Sequence, residues 1–134
     1  MTPFPLKIVT PDGLIYDGQA EEVIVRGTEG DLAILARHIN FVTPLGMGRA
    51  IIVANGQRRT AACIGGMISV VNGECTLVPT TFEWADEIDV ERAERAQQKA
   101  QERLNASNAT DTDIRLAEAK LHRALVRKSV ASYK

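Results

Sequence analysis

From Phe4 to about Trp84, short apolar runs alternate with turn-forming residues. PLKIV gives way to TPDG, EEVIVRG to TEGD, DLAIL to ARHIN, RAIIVA to NGQ, TAACI to GG and MISVV to NGE. Short runs rich in β-branched residues and bounded by Gly, Asn, Asp and Pro read as strands. Their regular succession predicts an all-β sandwich or barrel. Asn55-Gly56 and Asn72-Gly73 predict hairpins, since both central residues of a type I′ turn must tolerate positive φ. The alternation in AEEVIVRG is imperfect and IIVA is continuous, so some strands are expected to be covered on both faces.

After Glu83 the pattern changes period. Glycine and β-branched residues thin out, and Ala, Glu, Arg, Gln and Lys, the better helix formers, take over. One helix is expected from Asp89 to about Ala106, with Asp89 as N-cap, and a second from about Thr112 to Ser129. The polar run SNATDTD turns the chain between them, with Asp111 and Thr112 as rival N-caps. Val90, Ala93, Ala96, Ala100 and Leu104 form one apolar stripe, and Ile114, Ala117, Leu121 and Leu125 another. The expected fold is thus β followed by α: an N-terminal β-sandwich over residues 1–84 and a C-terminal antiparallel two-helix hairpin over 85–134. The stripes are alanine-rich and bury little area, so the hairpin needs a further element to hold it closed. Permanent docking on the sandwich is the plain alternative.

Composition adds exclusions. The chain has 134 residues, 45% of them hydrophobic and 25% charged, with a formal net charge of −1. No overall basic field collects nucleic acid or anionic lipid. The apolar runs are far shorter than a membrane helix requires and the N-terminus lacks the pattern of a signal peptide, so a cytoplasmic protein without membrane insertion is expected. Cys63 and Cys75 stand apart in strand-like runs and are expected as buried, reduced thiols. His38 and His122 are too few for a zinc site. No nucleophile with a nearby base is visible, so neither a metal site nor catalysis is expected.

Charge becomes informative only locally. Arg92, Arg95, Lys99 and Arg103 recur every three or four residues on the first helix, and Lys120, Arg123 and Arg127 repeat the pattern on the second. Arg92 falls in a first turn that favours an acid. One reading is an ion pair with Asp89, about 0.2–0.5 kcal/mol at this spacing. The other is that the two basic stripes approach each other and hold an anion, because Arg and Lys both suit phosphate oxygens. A third is that the stripes face solvent or an acidic partner. No Walker loop is present, so any nucleotide would be held between arginines without hydrolysis.

Several segments together resemble one family. VTPDGLIYDG (Val9 to Gly18), GDLAILARHINFVTPLGMG (Gly30 to Gly48), GGMISV (Gly65 to Val70) and the Ala/Arg-rich hairpin are similar to the epsilon subunit of bacterial F-type ATP synthase across essentially the whole chain. The second segment usually reads GDLGILPGHAPLL in that family; Ala33, Ala36 and Arg37 depart from it here. The resemblance implies a non-catalytic rotor subunit, peripheral on the cytoplasmic face of the bacterial membrane. Its partners would be the gamma subunit, the ring of c subunits and the alpha/beta catalytic head. It would serve ATP synthesis and hydrogen ion transport, and its hairpin, when extended, would inhibit ATP hydrolysis. Bacillus-like members bind ATP to the folded hairpin through Ile-Asp-x-x-Arg-Ala, which stands here as Ile88, Asp89, Arg92 and Ala93. The resemblance extends this site to Glu83, Arg123 and Arg127, and to Lys99 where those members carry arginine. It also implies rotor contacts at Asp31 and His38. ATP would be a regulatory ligand, with no catalytic cofactor and no residue set specified for Mg²⁺. The alternative is a structural rotor subunit with a static hairpin and no nucleotide sensing.

Overall fold

A computed structural model describes residues 1–133. Met1–Trp84 forms one compact unit and Ala85–Lys134 the other. The first contains ten strands: β1 (Phe4–Thr10), β2 (Gly13–Ala20), β3 (Glu22–Arg26), β4 (Asp31–Ile34), β5 (Phe41–Pro44), β6 (Met47–Ala54), β7 (Gln57–Ile64), β8 (Met67–Val71), β9 (Glu74–Val78) and β10 (Thr81–Trp84). They make two five-stranded sheets, ordered β2-β1-β9-β8-β5 and β10-β7-β6-β3-β4. Side chains from both sheets fill the space between them. Leu6 and Ile8 from β1, Ile68 from β8 and Leu77 from β9 meet Val23, Val25, Ile34 and Ile52 from the other sheet. Full burial of such side chains is worth about 1.5–3 kcal/mol each.

The two Asn-Gly turns are as expected. Asn55 and Gly56 have φ of 54° and 72°, and Asn72 and Gly73 of 50° and 81°, closing the β6–β7 and β8–β9 hairpins. Gly65-Gly66 does something else: it carries the chain from β7 in one sheet to β8 in the other. Gly66 has φ of 88°, and a Cβ there would overlap the Val78 carbonyl oxygen. β6 and β7 carry consecutive buried residues, in keeping with their unbroken apolar runs. Cys63 and Cys75 are buried free thiols, and burial pushes both pKa values up to about 12. They are poor nucleophiles at neutral pH.

The second unit opens with a 3₁₀ turn, Ala85–Glu87, followed by α1 (Val90–Leu104) and α2 (Asp111–Ala131). The helices run antiparallel: Arg103 late in α1 meets Asp113 early in α2, while Gln97 meets Lys128. Two sequence-based expectations need correction here. Thr110, rather than Asp111 or Thr112, caps α2: its hydroxyl accepts the Asp113 N–H and the Asp113 carboxylate accepts the Thr110 N–H, both at 3.1 Å. Leu125 does not belong to the packed stripe; it is 44% exposed while Ala124 is fully buried. The buried alanines recur every seven residues, Ala93 and Ala100 on α1 and Ala117, Ala124 and Ala131 on α2. Seven residues return a helix to nearly the same bearing, whereas two steps of four drift by about 80°. Geometry thus selects Ala124 over the more hydrophobic Leu125.

Candidate anion-binding groove

Asp89 caps α1 as expected, its carboxylate accepting the Arg92 backbone N–H at 3.1 Å. The bond reaches Arg92 through its backbone; among the described residues the two side chains form no ion pair. The alanine seam then sets what flanks it. Lys99 and Arg103 stand one residue before and three after Ala100, Lys120 stands three after Ala117, and Arg123 and Arg127 stand one before and three after Ala124. Those offsets put all five on one side of the seam, because steps of four nearly complete a turn. Gln97 and Lys128, joined at 2.8 Å, occupy the other side.

The result is a groove of about 420 Å³ between the helices. Ala96, Ala100, Leu116 and Ala117 supply its apolar lining, and the five cations and Asp113 supply the rest. Small seam residues let the helices come close and so bring the two basic rows within reach of one ligand. Asp113 is the single acid among these lining residues. Its Oδ2 accepts from Arg103 Nη2 at 2.6 Å and from the Thr110 N–H. The hydrogen bonds from Thr110, chiefly the backbone one, with the Arg103 charge in support, hold its carboxyl below the usual value. Lys99, Lys120 and Arg123 have no ion-pair partner among the described residues. Like charges gathered this way oppose closure of the hairpin unless an anion neutralises them.

Of the residues expected to hold a nucleotide, Lys99, Arg123 and Arg127 line this groove. Ile88, Asp89, Arg92 and Ala93 lie at the start of α1 and are not among its lining residues. Arg92 occupies the same helical stripe as Lys99, two turns nearer the N-terminus, about 10 Å along the axis. Ile88 and Ala93 are buried. Glu83 is on β10, in the sandwich unit. Arg103, Lys120, Asp113 and Leu116 join the groove although the sequence reading did not count them as site residues. The offsets from the seam alanines were the signal that would have found them.

The two residues expected at rotor contacts belong to the sandwich. Asp31 on β4 pairs with Arg26 of β3 at 3.3 Å, and lines a small depression of about 170 Å³ with Gly27, Glu29 and Thr43. His38 lies in the following loop, with Nδ1 2.9 Å from the Ile39 carbonyl oxygen and its ring 5.0 Å from that of Phe41.

Comparison with known proteins accounts for both units. The family model described as ATP synthase, delta/epsilon chain, beta-sandwich domain matches residues 3–85, and the long alpha-helix domain of the same chain matches residues 86–132. The chain is 44% identical over 126 residues to the ATP synthase epsilon chain of Bacillus velezensis, covering 94% of this chain and 95% of that one. It is 47% identical over 110 residues to the ATP synthase epsilon chain of Bacillus subtilis, covering 82% and 83%. A chain in the mitochondrial ATP synthase of Euglena gracilis shares the fold, with a TM-score of 0.85 and 19% identity, over 100% of this chain and 83% of that one. Matches to both domains, in order and over nearly the whole length, show that the chain belongs to the ATP synthase delta/epsilon family, as a bacterial F-type epsilon chain, a non-catalytic subunit of the central stalk.

Proposed function

We propose that this subunit couples the alpha/beta catalytic head to the c-subunit ring through the gamma subunit, and that its hairpin regulates ATP hydrolysis. Folded on itself, the hairpin binds ATP; opened, it reaches the catalytic head and inhibits. The observation that carries this reading is the convergence of Lys99, Arg123 and Arg127, from both helices, on one groove. A triphosphate there neutralises charges that otherwise push the helices apart, so ligand and closure favour each other. At a hundredfold excess over its dissociation constant, a ligand stabilises the state it binds by about 2.7 kcal/mol, enough to switch a hairpin closed mainly by alanine. Asp89 and Arg92 sit where a helix N-terminus also favours anions, while Glu83, Ile88 and Ala93 are assigned the nucleoside. The rotor-facing surface is assigned to Asp31 and His38. The assembled subunit works as a peripheral protein on the cytoplasmic face of the membrane, in proton-driven ATP synthesis.

A second reading has its own support. The Arg103–Asp113 ion pair and the Lys128–Gln97 bond tie α1 to α2 without any ligand, which suits a static structural subunit. Calorimetry of ATP binding to the full chain, with and without Mg²⁺, separates the two. Binding that disappears in Arg123→Ala/Arg127→Ala supports the regulatory hairpin. Absence of heat at millimolar ATP leaves the static subunit.

A further inference from the structure

Asn55-Gly56 and Asn72-Gly73 are the same dipeptide in the same kind of turn, closing two-residue hairpins with closely similar φ values. Their surroundings differ at the glycine nitrogen. The Gly56 N–H donates to Glu21 Oε1 at 2.9 Å. Glu21 is itself fixed, its own N–H on the Val53 carbonyl oxygen at 2.7 Å and its carboxylate 3.9 Å from the Met1 α-amino group. At the other turn the tie falls on the asparagine, whose N–H donates to Asn40 Oδ1 at 2.8 Å. Among the described residues the Gly73 N–H has no such acceptor.

We infer that Asn72 is a site of spontaneous deamidation through a succinimide formed with Gly73, and that Glu21 protects the matching Asn55-Gly56 turn from the same reaction. The Gly73 nitrogen gives up its proton to solvent base and its electron pair closes on Asn72 Cγ. The bond from Cγ to the side-chain nitrogen breaks and ammonia leaves. Water then opens the ring at either carbonyl, to aspartate or to isoaspartate. Glycine carries no Cβ to shield its nitrogen, and a Cβ at Gly56 or Gly73 would meet nothing within 4 Å, so both turns have open space for the ring. Asn40, Asn105 and Asn108 are followed by Phe or Ala instead. What separates the two turns is the carboxylate of Glu21: it holds the proton on the Gly56 nitrogen, and its charge opposes the amide anion that must form. Either product adds a negative charge to the formal −1 of the chain. Isoaspartate also lengthens the main chain by a methylene, which a two-residue turn between Val71 and Glu74 does not accommodate.

Incubating the full chain in mildly alkaline buffer, and reading each site by the mass and chromatographic retention of its peptide, tests this. Asn72 is expected to convert first, with Asn55 slower by about three- to tenfold, the worth of one charge-assisted hydrogen bond. In urea the two sites should convert at equal rates. Glu21→Ala is expected to bring Asn55 up to the rate of Asn72 without changing Asn72, and circular dichroism before incubation confirms that the variant is folded. If it is not, Glu21→Gln, which keeps an acceptor oxygen and loses the charge, decides by a smaller rise at Asn55. An Asn72 that stays intact in the folded chain while the urea sample converts overturns the site. Equal rates in the folded chain, or an Asn55 indifferent to the loss of Glu21, overturn the protection.

Discussion

The sandwich and the hairpin solve the same problem with different materials. The sandwich closes on Leu, Ile, Val and Phe from two sheets, and each side chain it buries removes a large apolar area from water. The hairpin closes on alanines spaced by seven, whose methyls contribute about 0.8 kcal/mol apiece. Two polar side-chain ties join its helices, Arg103 to Asp113 and Lys128 to Gln97. A unit assembled from large apolar contacts holds one shape under most conditions. One assembled from small contacts and charge has an equilibrium that a single ligand can move. Thin packing and gathered charge together leave a hairpin open to a ligand, whereas a fuller core would fix it shut.

The contrast can be broken by mutation, using two probes that report separately. Trp84, the single tryptophan of the chain, packs edge-on against Phe82 at 4.9 Å and under Arg59 at 3.7 Å, all in the sandwich. Helical circular dichroism reports α1 and α2. Leu77→Ala empties a fully buried position between the sheets and is expected to cost the sandwich about 2–5 kcal/mol, read as an earlier urea midpoint of Trp84 fluorescence. If helix loss moves in step with it, the two units unfold as one. Thr110→Ala removes a cap that satisfies the first turn of α2 and is expected to cost about 1 kcal/mol. Its helical signal should melt earlier while Trp84 fluorescence stays unchanged; the converse would make the hairpin the stiffer partner.

The smallest expected effect sharpens the contrast from the sandwich side. Arg37 has φ of 64°, in the left-handed region, at a position where the family pattern has glycine. Arg37→Gly relieves that strain against a gain in unfolded-chain freedom, and the net expectation is a stabilisation of about 0.5–1 kcal/mol. A lower urea midpoint for the variant would show that the arginine side chain contributes more than its backbone costs.

How much was readable beforehand varied with how local the cause was. Asn55-Gly56 and Asn72-Gly73 were legible because a dipeptide carries its own φ preference. Asp89 was legible because one carboxylate before a helical run suffices. Thr110 was missed because its box is completed by Asp113 where the usual pattern has Glu or Gln. β2, β5, β9 and β10 were not separately named: β2 is a largely exposed strand at one sheet edge, and β5 is another, carrying Pro44. The stripe on α2 was misassigned at Leu125 because hydrophobicity outranked bearing. In the groove, the basic periodicity was visible, but not which cations share a ligand, since that depends on how two helices face each other.

One pairing orders these events in time. β1 lies parallel to β9, with Leu6 opposite Cys75 and Ile8 opposite Leu77, so the N-terminal strand waits for nearly the whole sandwich before its sheet can close. Such distant contacts form slowly, whereas helices joined by a short turn form fast. On a ribosome, the last stretch to emerge is the hairpin, and by then β9 has already been made. The sandwich therefore has the opportunity to close before the hairpin exists, and the hairpin arrives as an addition to a finished scaffold.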